Sequence, residues 1–76
     1  MMITISFRLI SDNQEITIMV DCEQQIWKTL KILCESAVFS TSAETTIYLE
    51  RTNSIMQPEW NYREAGVLDG DVLILE

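Results

Sequence analysis

The stretch Tyr62-Arg63-Glu64-Ala65-Gly66-Val67-Leu68-Asp69-Gly70-Asp71-Val72-Leu73-Ile74-Leu75 decides the reading of this chain. Asn61 stands just before it and can cap a single helical turn through Tyr62-Arg63-Glu64-Ala65. Gly66 ends that turn, because a glycine enters the left-handed conformation without a Cβ clash. Val67 then plugs the core, Asp69-Gly70 reverses the chain, and Val72-Leu73-Ile74-Leu75 forms a last aliphatic strand.

Working outward, residues 2–10 alternate: Ile3, Ile5, Phe7 and Leu9 on one face, Met2, Thr4, Ser6 and Arg8 on the other. A period of two rich in β-branched residues reads as a strand. Ser11-Asp12-Asn13-Gln14 is a turn cluster, and Ile16, Ile18 and Val20 alternate in a second strand, so the pair forms an antiparallel hairpin. Asp21-Cys22-Glu23-Gln24 resembles a capping box, and Glu23 adds negative charge at the positive end of the dipole. Ile26, Leu30, Leu33, Cys34 and Ala37 recur at helical spacing, which predicts a helix over 22–36 with Trp27 and Ile32 packing at the flanks of the stripe. Residues 36–46 read as a polar loop with Phe39 tucked onto the core. Thr45–Arg51 alternates again with Ile47 and Leu49 inward; Thr52-Asn53-Ser54 is a turn, and Ile55-Met56-Gln57 a very short strand ended by Pro58.

Hairpin, helix, strand, short strand, helical turn and strand make an α+β layer: one helix across a mixed sheet of four or five strands. The first and last strands are expected to lie parallel and adjacent, their Ile3, Ile5, Phe7, Leu73 and Leu75 meeting Ile26, Leu30 and Leu33 of the helix. With 76 residues, one domain over 1–76 is all the chain allows. No run approaches the roughly 20 apolar residues of a membrane span, and the start lacks the pattern of a signal peptide, so a cytoplasmic location is expected. A net charge of −7 disfavours nucleic acid and anionic lipid; solubility alone accounts for such acidity, so it does not require a basic partner.

The whole chain resembles a ubiquitin-like β-grasp domain, most specifically in the 62–75 stretch. Among small free-standing bacterial members it is most similar to the YukD/EsaB-like proteins associated with type VII (WXG100-type) secretion in Gram-positive bacteria. That similarity rests on length, on the Ile3-Thr4-Ile5 start and on Gly66-Val67, Asp69-Gly70-Asp71 and Leu73-Ile74-Leu75. The resemblance implies a cytosolic accessory or regulatory component acting through protein contacts. The alternatives are a ubiquitin-like modifier or sulfur carrier, and a small subunit of an enzyme complex. Modifiers and sulfur carriers use a C-terminal Gly-Gly that enters an activating enzyme, whereas this sequence ends Leu73-Ile74-Leu75-Glu76, so conjugation and sulfur transfer are not expected.

No catalytic, cofactor or metal site is expected. Without histidine, and with only Cys22 and Cys34, the chain lacks the ligands of a four-coordinate zinc site. Cys22 at a helix N-terminus would be flanked by Asp21 and Glu23, which oppose thiolate formation, and has no histidine base. On one helix the two cysteines would stand about 18 Å apart, too far for a disulfide. Asp69 and Asp71 read as turn residues rather than a calcium loop, and no glycine-rich phosphate loop is present. What is left is the sheet face away from the helix: Thr4, Ser6 and Arg8, Tyr48 and Glu50, Val72 and Ile74. Arg8, Tyr48, Val72 and Ile74 are the candidate protein-binding residues, since Tyr and Arg are frequent interface anchors and exposed aliphatics have no folding reason to be there. The plain alternative is that short sheets carry a few outward aliphatics with no role. Trp60 beside Pro58 is a second candidate, although closing one end of the core is the favoured reading of it. The sequence names neither the partner nor an oligomeric state.

Overall fold

Period-two alternation near both ends of the chain builds the sheet of the computed structural model, which describes residues 1–11, 13–36 and 45–76. β1 (Met2–Leu9) and β2 (Gln14–Asp21) pair antiparallel, Phe7 with Ile16 and Ile5 with Ile18. Asn13 takes a φ of 50° in their connection, a conformation that asparagine tolerates better than most residues. There follow α1 (Ile26–Glu35), β3 (Ile47–Leu49), β4 (Ser54–Met56) and β5 (Val72–Leu75). The five strands form one mixed sheet in the order β2-β1-β5-β3-β4. β5 is parallel to β1, with Phe7 on Leu73 and Leu9 on Leu75, and antiparallel to β3. The expected pairing of first and last strands is thus present, and the sheet has five strands.

The inner sheet face and α1 enclose the core: Ile3, Ile5, Phe7 and Leu9 of β1, Ile47 and Leu49 of β3, and Leu73 and Leu75 of β5, against Ile26, Leu30 and Leu33. Full burial of each such side chain stabilises by about 1.5–3 kcal/mol. The 62–67 turn closes one end. Asn61 and Glu64 cap each other reciprocally: Glu64 N–H donates to Asn61 Oδ1 at 2.7 Å and Asn61 N–H to Glu64 Oε1 at 3.2 Å. At its other end Val67 N–H reaches Tyr62 O and Gly66 N–H reaches Arg63 O, with Gly66 at φ 76°. This pair of bonds is the Schellman closure, and its accompanying apolar contact is supplied by the buried Tyr62 and Val67. The cap, the glycine stop and the valine plug therefore stand where the sequence places them.

The helix start differs from expectation. α1 begins at Ile26, its N-cap is Gln25 with no side-chain capping bond, and its first turn carries no acidic residue. Asp21 instead ends β2, its carboxylate accepting Glu23 N–H at 3.0 Å and its carbonyl accepting Gln24 N–H. The first helical amides find partners across the fold: Ile26 N–H donates to Trp60 O and Trp27 N–H to Pro58 O, both at 3.0 Å. Gln25 Nε2 also donates to Glu59 O. With main-chain acceptors supplied by residues 58–60, the helix needs no capping side chain. Cys22 consequently lies ahead of the helix, buried in the core, so the on-helix spacing argument against a disulfide does not apply; neither Cys22 nor Cys34 is in a disulfide. β3 is also shorter than the 45–51 reading, and β4 starts one residue earlier, at Ser54. Asp12 of the first turn, and Ala37 and Phe39 of the 36–46 stretch, lie outside the described residues.

Asp71, 8% exposed, ties the sheet to the last turn. Its carboxylate accepts Arg51 Nε at 3.1 Å, Arg51 Nη2 at 3.3 Å and Leu68 N–H at 2.7 Å, while Arg51 Nη2 also donates to Gly66 O. A forked guanidinium on a carboxylate fixes geometry as well as charge. The residue read as a turn aspartate is thus a structural anchor.

Candidate protein-binding face

Strand register places the outward side chains in rows. Glu15 pairs with Arg8, Arg8 with Ile74, Ile74 with Tyr48, and Tyr48 with Ile55, one residue from each strand across the sheet. A second row runs Thr17, Ser6, Val72. At about 4.8 Å per strand, Ile74, Tyr48 and Ile55 span about 10 Å, with Val72 on the same face two residues along β5. Arg8, Tyr48, Val72 and Ile74 are all half-buried on this face, as the alternation requires, and the register brings them together.

The face divides into two halves. On the β1–β2 side Ser6 Oγ and Thr17 Oγ1 share a hydrogen bond of 2.8 Å. On the β5–β3–β4 side the outward strand residues, among those described, are Val72, Ile74, Tyr48 and Ile55. Arg8 marks the boundary, with Nε on Glu15 Oε1 at 3.0 Å and Nη1 on Glu50. Those two carboxylates push its pKa further up, chiefly through the hydrogen bonds to Glu15 and Glu50. Its charge is therefore met within the molecule, and it works as the rim of an apolar patch rather than a free cation.

Two residues of this face escaped the sequence reading. Ile55, 56% exposed, extends the apolar row because β4 pairs Tyr48 with Ile55. Met19, exposed on β2, pairs with Thr4. Both follow from turn lengths: Thr52 to Asn53, with Asn53 at φ 54°, fixes one register and the turn containing Asn13 the other. Trp60, the second candidate, is 37% exposed at the end of the core, and its carbonyl serves α1.

The remaining features carry less chemistry. A pocket of about 480 Å³ is lined by Met1, Ile3, Cys22, Arg63 and the 66–69 turn. Inside it Arg63 Nη2 donates to Cys22 Sγ at 3.6 Å, and Arg63 Nη1 pairs with Glu23 at 2.6 Å. Among the described residues no three His, Cys, Asp or Glu side chains cluster to hold a metal ion, and no helix is long and apolar enough to cross a membrane.

No protein-family model matches the chain, and no curated protein matches it in sequence. Solved structures do match it in shape. The ubiquitin-like domain of Dsk2 from Plasmodium falciparum superimposes with a TM-score of 0.70 at 20% identity, covering 100% of both chains. A de novo design based on ubiquitin gives 0.79 at 16% identity, covering 99% of this chain and 87% of the design. The ubiquitin-like domain of EccD5 from Mycobacterium xenopi gives 0.63 at 19% identity, covering 100% of this chain and 93% of that domain. At such identities the likeness speaks for architecture, and with the strand order and single helix above it establishes that this chain has the ubiquitin-like β-grasp fold.

Proposed function

We propose that the chain is a non-catalytic protein-interaction module that docks partners on its outer sheet face. The observation that carries this reading is the contiguous row Ile74, Tyr48, Ile55 with Val72 beside it, facing away from the core and rimmed by a neutralised Arg8. Aliphatic and aromatic side chains in that position add nothing to the core, and a tyrosine at the centre of an apolar patch is a frequent binding anchor.

The setting we infer is a cytosolic accessory or regulatory role in a bacterial type VII secretion system of the YukD/EsaB kind. The sequence resemblance supports it, and so does the likeness to the EccD5 domain. The partner is then another component of the secretion machinery, not nucleic acid or lipid. The test is affinity purification of the tagged chain from a host carrying such a system, beside the variant Tyr48→Ala/Ile55→Asp. Recovery of secretion components with the parent chain and their loss with the folded variant is the expected result. Equal recovery with both removes the sheet face, and recovery of an activating enzyme or covalent adducts instead favours a carrier.

A further inference from the structure

α1 has a second side. Its buried residues are Ile26, Thr29, Leu30 and Leu33. Opposite them Gln24, Trp27, Lys28, Lys31, Ile32 and Glu35 line a shallow depression of about 350 Å³. From Trp27 onward these positions follow the i, i+3, i+4 steps that make one stripe on a helix. Trp27 is 40% exposed and Ile32 55% exposed, so the flank packing expected of them is far from complete. Polar residues would serve the exposed side of a helix as well, which makes this pair notable.

The charges on the stripe set it apart from the rest of the surface. The chain has five Lys and Arg against twelve Asp and Glu. Each of the three arginines is paired: Arg8 with Glu15 and Glu50, Arg51 with Asp71, and Arg63 with Glu23. Among the described residues, neither Lys28 nor Lys31 has a carboxylate within ion-pair distance, although acids outnumber bases. Both lie on this stripe, one turn apart, and Lys28 Nζ sits 5.8 Å from the Trp27 ring centroid. Two neighbouring ammonium groups repel, and an anion placed between them relieves that repulsion.

We propose that this outer face of α1 is a second binding surface, taking a short acidic peptide segment of a partner protein that carries an aliphatic or aromatic side chain between its carboxylates. The carboxylates sit on Lys28 and Lys31, and the apolar side chain enters the depression between Trp27 and Ile32. The net charge of −7 selects the class of occupant. It repels an extended polyanion such as nucleic acid or an anionic bilayer along most of its length, whereas a short segment meets the two lysines and the apolar pair, with Glu35 as the one carboxylate lining the depression.

The experiment pans a random peptide library displayed on phage against the immobilised chain, then measures the selected peptides by fluorescence polarisation. Enriched peptides should be net negative with at least one large apolar residue. Lys28→Glu/Lys31→Glu should weaken them roughly tenfold or more, and Trp27→Ala by a similar factor. Affinity should fall as salt rises over roughly 0.05–0.5 M. Tyr48→Ala/Ile55→Asp should leave binding unchanged, which keeps this surface distinct from the sheet face. Thermal melting checks the folding of each variant, and Lys28→Gln/Lys31→Gln replaces the charge reversal if that variant fails to fold. Basic or uncharged winners, no enrichment, or binding that survives loss of both lysines overturns the proposal. So does lysine-dependent binding of a fluorescein-labelled oligothymidylate in place of peptide.

Discussion

The outer sheet face and the outer helix face both expose large apolar side chains, yet they treat charge in opposite ways. On the sheet, Arg8 is held by two carboxylates, so no unpaired cation stands beside the patch of Tyr48, Ile74 and Ile55. On the helix, Trp27 and Ile32 flank two lysines that no described carboxylate meets. The difference teaches what each surface can recognise. A patch with closed charges selects by shape and apolar contact, so its binding should change little with salt. A patch with open charges selects by sign, so its binding should weaken as salt rises.

Removing one partner of each charged group tests that division, and the largest effect belongs to the closed pair that is also buried. Asp71→Ala strands Arg51 and leaves Leu68 N–H without its acceptor. It should cost about 2–3 kcal/mol in urea unfolding, below the fully buried case because Arg51 is half exposed. A loss near zero would show that the clamp is loose in solution.

A comparable effect comes from the core side of α1. Tyr62 is wholly buried, and among the described residues neither its hydroxyl nor Thr29 Oγ1 has a hydrogen-bonding partner of good geometry. Burial pushes the Tyr62 pKa up to about 12, with Thr29 acting weakly the other way. The unfolded chain releases this proton near pH 10 and the folded chain near 12, so the unfolded state binds fewer protons between them. Stability contributed by the neutral phenol is therefore full below pH 10 and lost as pH rises toward 12, by about 2–3 kcal/mol. Tyr62→Phe should flatten that alkaline slope at little cost at neutral pH, since no bonded hydroxyl is removed. An unchanged slope would mean that the phenol reaches water.

The exposed groups should move stability least. Arg8→Ala should lower the melting midpoint by no more than a few degrees, since exposed ion pairs contribute little, while making sheet-face binding salt-dependent through the freed Glu15 and Glu50. Lys28→Ala/Lys31→Ala should leave the midpoint unchanged or slightly raised, because it removes a like-charge contact. A clear loss on removing the lysines would mean that they pair with the protein itself, and the contrast between the faces would collapse.

How legible these features were depends on whether their cause is local. The ends of the chain could be read directly, since alternation in Ile3 to Leu9 and Val72 to Leu75, and the Gly66 and Gly70 turns, are set by neighbours in sequence. Asn61 capping its turn is legible for the same reason, and the reciprocal box forms there with Glu64 rather than at Asp21-Cys22-Glu23-Gln24. The start of α1 was not legible because its amides are satisfied by residues 58–60, a long-range contact that no local motif encodes. On the site, the outward aim of Arg8, Tyr48, Val72 and Ile74 follows from alternation, and their grouping from a ubiquitin-like strand order, which the sheet has. Ile55 needed the β3–β4 register, and the neutralisation of Arg8 needed Glu15 and Glu50 to arrive from two other parts of the chain. For Trp27 and Ile32, helical period could not separate the flank of the apolar stripe from its solvent side.

The claim underneath the sheet surface is that β5 turns Leu73 and Leu75 into the core and Val72 and Ile74 out toward the face opposite α1. Solvent paramagnetic relaxation with a soluble gadolinium chelate, read on assigned methyl groups, tests it directly. Val72, Ile74 and Ile55 methyls should be strongly broadened while those of Leu73, Leu75 and Ile5 stay sharp. Equal protection of Ile74 and Leu73 would contradict the account, because the face offered for binding would already be covered.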